Sequence, residues 1–102
     1  MEQAHEQPNA TIHQPVRLKI MAALKALPEN AQLEFVKLKD IVGATEGNLG
    51  AHITTLETTG YVAVEKDFVG KRPRTRVALT KTGRRAFEDY VAYLRDILDT
   101  KV

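Results

Sequence analysis

The chain has 102 residues, 43% of them apolar, which suits one compact domain and its core but not two. It holds no cysteine, which excludes a disulfide framework, a thiolate metal site and a thiol redox switch and fits a reducing cytoplasm. The net charge of +2 hides an asymmetry: residues 66–85 carry eight cations (Lys66, Lys71, Arg72, Arg74, Arg76, Lys81, Arg84, Arg85) against Asp67 alone, +7 in all, leaving −5 on the rest. That imbalance points to a polyanionic partner, the alternative being a solvated charged face.

Residues 1–12 are polar, contain Pro8 and lack periodicity, so a flexible tail is expected there and a single domain over 13–102. The first 15 residues do not have the basic and apolar regions of a signal peptide, and no apolar run approaches the roughly 20 residues that cross a bilayer. A first helix is predicted from Gln14 to Leu27. Pro15 suits its first turn, Val16, Ile20, Leu24 and Leu27 form its stripe, and Pro28 stops it. Leu33 to Phe35 is extended but too brief to stand alone as a strand.

A second helix fits Val36 to Val42, with Leu38, Ile41 and Val42 on its apolar side and Gly43 as the left-handed stop. Thr45 caps a third helix, Glu46 to Thr59, whose buried stripe is Leu49, Ile53 and Leu56 and which Gly60 closes. Two short helices joined by a tight glycine-containing turn match a helix-turn-helix. Two strands follow, Tyr61 to Phe68 and Arg74 to Leu79, joined by a tip at 69–73 with Pro73 outside the ladder. Thr80 then caps a last helix from Lys81 to Leu98, with Phe87, Tyr90, Val91, Leu94, Ile97 and Leu98 at helical spacing.

The second helix of a helix-turn-helix offers its exposed face to a DNA major groove. Its candidate readers here are Thr45, Gly47, Asn48, His52, Thr54 and Thr55. Asn48 suits adenine, the threonines suit a base edge, a methyl group or a phosphate, and His52 suits a phosphate or guanine. Gly47, Gly50 and Ala51 leave room for close approach. This helix has no Lys or Arg and carries Glu46 and Glu57, so phosphate contacts fall to Lys71, Arg72, Arg74 and Arg76 in the hairpin. The competing reading is a polar helix face turned to solvent.

Lys81, Arg84 and Arg85 oppose the dipole of the last helix, which suggests phosphate contact or simply a tolerant exposed face. The long apolar stripe of that helix suggests a two-fold subunit interface, against an intramolecular helix laid across the domain. His5, His13 and His52 lack metal-ligand spacing, and the first two are expected to be solvated. With no phosphate loop, nucleophile elbow or carboxylate pair either, an enzyme is not expected.

The run FVKLKDIVGATEGNLGAHITTLETTGYVAVEKDFVGKRPRTRVALTKTGRRAF resembles the small winged-helix transcriptional regulators of prokaryotes related to the MarR and ArsR groups. The likeness spans about Pro15 to Leu98. It is most specific at Thr45-Glu46-Gly47-Asn48-Leu49 with His52 and Leu56, at Gly60-Tyr61-Val62, and at Arg72-Pro73-Arg74-Thr75 followed by Leu79-Thr80 and Gly83-Arg84. It implies a mainly α fold with a small β-hairpin wing (α+β), in the order α-β-α-α-β-β-α. It also implies a homodimer on palindromic double-stranded DNA. Thr45, Gly47, Asn48 and His52 then fall on the recognition helix, and Lys71, Arg72, Arg74 and Arg76 on the wing. Many relatives carry serine, arginine or lysine where this chain has Gly50, Ala51, Thr54 and Thr55. The cysteine ligands of ArsR-like metal sensors are missing, so no cofactor is expected, while a small-molecule effector stays open. The rival from another class is a winged helix that binds proteins rather than DNA, suggested by the acidic helix and the long apolar last helix.

Overall fold

The computed structural model describes residues 9–99. Its elements are α1 (Ala10–His13), α2 (Pro15–Lys25), β1 (Gln32–Glu34), α3 (Phe35–Val42), α4 (Glu46–Thr59), β2 (Val62–Val69), β3 (Arg72–Leu79) and α5 (Lys81–Leu98). Local chemistry sets most boundaries. Gln14 caps α2 through its side chain, which accepts from the Arg17 N–H, and Pro15 occupies the first turn. Thr45 and Thr80 cap α4 and α5 by accepting from the Asn48 and Gly83 N–H groups. Gly43 and Gly60 end α3 and α4 in the left-handed conformation, at φ 75° and 90°.

The predicted α4 and α5 coincide with the observed ones, and α2 ends two residues early, with Ala26 as its cap. The extended Leu33 segment gains strand status from a partner: Gln32, Leu33 and Glu34 pair antiparallel with Ala78, Val77 and Arg76. The sheet order is β1-β3-β2. This is the winged-helix arrangement, with one short helix added in front.

That added helix corrects the expectation of a tail over 1–12. Residues 1–8 lie outside the described residues, but Asn9 caps α1 and Ile12 is fully buried in the core. One apolar side chain in a four-residue helix is too weak a pattern to show as periodicity, yet it is enough to anchor the segment. His13 is not merely solvated either, because its Nδ1 lies 2.7 Å from the Tyr90 hydroxyl.

The core gathers Ile12, Ile20, Met21, Leu24, Leu38, Leu49, Ile53, Leu56, Val62 and Val77. The α4 stripe is buried as predicted, whereas Ile41 is 58% exposed and the buried side of α3 is Leu38 and Val42. Tyr90 also departs from expectation. It is buried in the chain's own core, where burial, then Tyr93, raises its phenol above the ordinary tyrosine value. Its packing against the His13 ring removes it from the outer apolar face of α5.

Candidate nucleic-acid interface

Helical geometry divides the surface of α4. Asn48, His52 and Thr55 follow one flank at i, i+4 and i+7. Glu46, Gly50, Ile53, Thr54 and Glu57 border a cleft against the wing, closed on the other side by Val64, Lys66 and Thr75. The two acids that make the helix acidic therefore sit on the wing side, away from Asn48 and His52.

Among the predicted readers, Thr45 uses its hydroxyl oxygen as a cap, and Thr54 and Thr55 donate theirs to the carbonyls of Gly50 and Ala51. A back-bonded threonine offers a partner its methyl group and an acceptor oxygen, not a free donor. The Asn48 side chain is exposed and makes no hydrogen bond among the described residues. Gly47 has open space around it.

His52 has a partner that the sequence did not disclose. The Arg17 guanidinium on α2 lies 3.0 Å from His52 Nδ1, and its Nε donates to the Thr11 carbonyl. No sequence signal links a cation in the first helix to a histidine 35 residues on. Burial, followed by the Arg17 charge, holds the His52 pKa below the ordinary 6.5. Because the unfolded chain takes up the proton first as pH falls, the wild type should lose stability below about 6.5, down through the lowered folded value. Urea unfolding across pH 5–8 should show that loss, and His52→Gln should lack this part of it.

The wing is where the sequence reading needs most correction. The strands extend to Val69 and Arg72, leaving Gly70 and Lys71 as a two-residue turn with Gly70 at φ 65°. Pro73 lies inside β3, opposite Phe68. In a hairpin this tight Val69 and Arg72 form the hydrogen-bonded pair, so the nitrogen of Pro73 points away from β2. β1 stops at Glu34, opposite Arg76, and so demands no donor there.

This register sets Asp67 opposite Arg74 and Glu65 opposite Arg76. Arg74 donates to both oxygens of Asp67 at 2.9 and 2.7 Å. Arg76 reaches Glu65 at 3.1 Å and Asp67 at 3.0 Å, and Gln32 donates to Glu65 from β1. The Arg74 hydrogen bond, with the charges of both arginines, holds the Asp67 carboxyl below its usual value despite some desolvation. Arg74 and Arg76 are thus paired with the wing's own acids. Lys71 and Arg72 are exposed at the tip and make no ion pair among the described residues.

On α5, Phe87, Val91 and Leu94 are half-buried, while Ile97 and Leu98 are 51% and 79% exposed. A groove beside them is lined by Lys25, Phe87, Glu88, Val91, Ala92 and Arg95. The described residues include no helix long and apolar enough to cross a membrane, and no cluster of three or more metal-ligating side chains.

Comparison with known proteins agrees with this geometry. The family model described as a winged helix DNA-binding domain matches residues 16–98. An uncharacterized protein of Methanocaldococcus jannaschii is 38% identical over 76 residues, which are 74% of this chain and 79% of the relative. The solved structure of a transcriptional regulator homologue from Pyrococcus horikoshii OT3 superposes with a TM-score of 0.82 at 30% identity, covering 97% of this chain and 96% of that one. A MarR-family transcriptional regulator from Silicibacter pomeroyi shares the fold, with a TM-score of 0.68 at 22% identity over 91% of this chain and 62% of that one.

Proposed function

The chain belongs to the winged helix DNA-binding domain family, and from that premise we propose that it regulates transcription as a homodimer on a palindromic operator. Each subunit sets α4 in a major groove and the wing tip on the backbone or in the neighbouring minor groove. The observation that carries this is a division of labour between two elements. Asn48 and His52 lie along one flank of α4, and Lys71 and Arg72 stand unpaired at the tip of the wing. Neutral side chains of that kind discriminate bases, whereas cations neutralise phosphates.

The apolar end of α5 supports pairing with a second copy. Ile97 and Leu98 are too exposed to serve the chain's own core, and they continue the stripe of Phe87, Val91 and Leu94. A two-fold pair would place two recognition helices on half-sites about one helical turn apart. The groove along α5, lined by Lys25, Glu88 and Arg95 together with Phe87, Val91 and Ala92, leaves room for a small-molecule effector as well.

The test combines mass in solution with recovery of bound DNA. Sedimentation should give a dimer, and Ile97→Glu with Leu98→Glu should give a folded monomer with weaker DNA binding. Sequencing the DNA recovered with the wild type should return a palindrome. No enrichment above background would favour the protein-binding rival, and a monomeric wild type would remove the two-fold arrangement.

A further inference from the structure

Arg17 belongs neither to the helix-turn-helix nor to the wing, yet it is the residue that fixes how His52 presents itself. A guanidinium only donates, so a His52 Nδ1 at 3.0 Å from Arg17 must offer its lone pair. The imidazole proton is then confined to Nε2, in the neutral ring that burial and the Arg17 charge favour. Nε2 makes no hydrogen bond among the described residues and is not buried, so it faces solvent as a donor.

Arg17 is itself held from two sides. Its backbone N–H donates to the Gln14 side chain that caps α2, and its Nε donates at 2.6 Å to the Thr11 carbonyl in α1. Ile12, fully buried, pins that turn of α1 to the core. The guanidinium therefore has little freedom to turn away from the histidine.

We propose that Arg17 is a positioning residue for sequence recognition: it locks His52 as a hydrogen-bond donor, so that this position of α4 selects a base edge presenting an acceptor. The inference rests on the reading of α4 as the recognition helix. The edges that fit are guanine O6 or N7, adenine N7 and thymine O4, while the cytosine amino group presents a donor and is rejected. An unlocked histidine would swap donor for acceptor by moving its proton, and would lose that discrimination. The N-terminal segment acquires a part in specificity through this link, although it need not touch DNA.

Two measurements test the assignment. Nitrogen-15 spectra of the free wild-type protein, with the His52 signal identified by its loss in His52→Gln, should show a single neutral tautomer protonated at Nε2. Arg17→Met should give a mixture. A wild-type ring protonated at Nδ1 overturns the proposal without any variant having to fold.

Selection from randomised duplexes then reads the consequence. His52→Ala and Arg17→Met should each lose about five-fold preference at the same base pair, as expected for one hydrogen bond. The double variant should lose no more than either alone. A preference retained in Arg17→Met, or effects that add in the double variant, overturns the role of Arg17 and leaves α4 as the reader. A wild type without preference at any base pair overturns the recognition-helix reading, and this inference with it.

Discussion

Replacing Lys71 and Arg72 together by alanine should weaken duplex binding about 10- to 100-fold near 0.1 M salt, for all sequences alike. Each phosphate contact releases close to one condensed counterion, so the slope of log affinity against log salt should flatten by about 2 per subunit. The expectation rests on the pairing pattern of the wing. Lys71 and Arg72 lie in and beside the turn and make no ion pair among the described residues, whereas Arg74 and Arg76 pair with Asp67 and Glu65. Arg76→Ala should therefore change the slope less than either tip substitution. Binding measured at four or five salt concentrations separates the two cases. An unchanged slope in the tip double variant would remove the wing tip from the interface, and an equal slope loss in the Arg76 variant would show that its ion pairs open on DNA.

A second large effect is expected at Gly83, in the first turn of α5. A Cβ there would overlap the Tyr61 carbonyl. Tyr61 has no room to retreat. Its N–H donates to the Leu56 carbonyl at the end of α4, and its carbonyl accepts from the Thr80 N–H at 3.1 Å. Thr80 also donates its hydroxyl to the Gly60 carbonyl at 2.7 Å. One small knot thus joins the end of α4, the root of the wing and the start of α5. Gly83→Ala should cost about 3 kcal/mol, because overpacking against backbone cannot be relieved by a rotamer change. Melting should fall by about 10–20 °C. Gly47→Ala provides the contrast, since open space surrounds that glycine and alanine favours a helix. It should gain roughly 0.5–1 kcal/mol. Comparable melting of the two variants would contradict the clash.

The parts legible in the sequence were those written locally. Thr45 and Thr80 as caps, and Gly43 and Gly60 as left-handed stops, place the ends of three helices without reference to tertiary structure. The ion pairs of the wing are not legible in the sequence for a reason that can be stated in terms of register. A five-residue tip at 69–73 would set Phe68 opposite Arg74 and Asp67 opposite Thr75. The two-residue turn shifts the pairing by one, and in a strand one residue exchanges the faces. Only the observed register places Asp67 against Arg74 and Glu65 against Arg76. Glu65 also stands one residue before the basic stretch, so a charge count from Lys66 onward does not include it. Tyr90 and Ile41 show a different limit. Periodicity gives the apolar side of a helix but not which margin of that side meets the core; Tyr90 fell inside and Ile41 outside. Arg17 with His52 is a long-range contact between α2 and α4, for which local chemistry holds no sign.

The acids of the wing have one more bearing, on solubility. In the order β1-β3-β2, strand β2 is an edge, and its eight residues leave a row of backbone donors and acceptors open to any other extended chain. Its ends are apolar: Val62-Ala63-Val64 at the root, and Phe68-Val69, 68% and 55% exposed, at the tip. Between them stand Glu65, Lys66 and Asp67, breaking what would otherwise be a continuous sticky strand. The carboxylates that pair with Arg74 and Arg76 also interrupt the apolar edge strand, so exchanging them for neutral residues to free those arginines should promote edge-to-edge self-association.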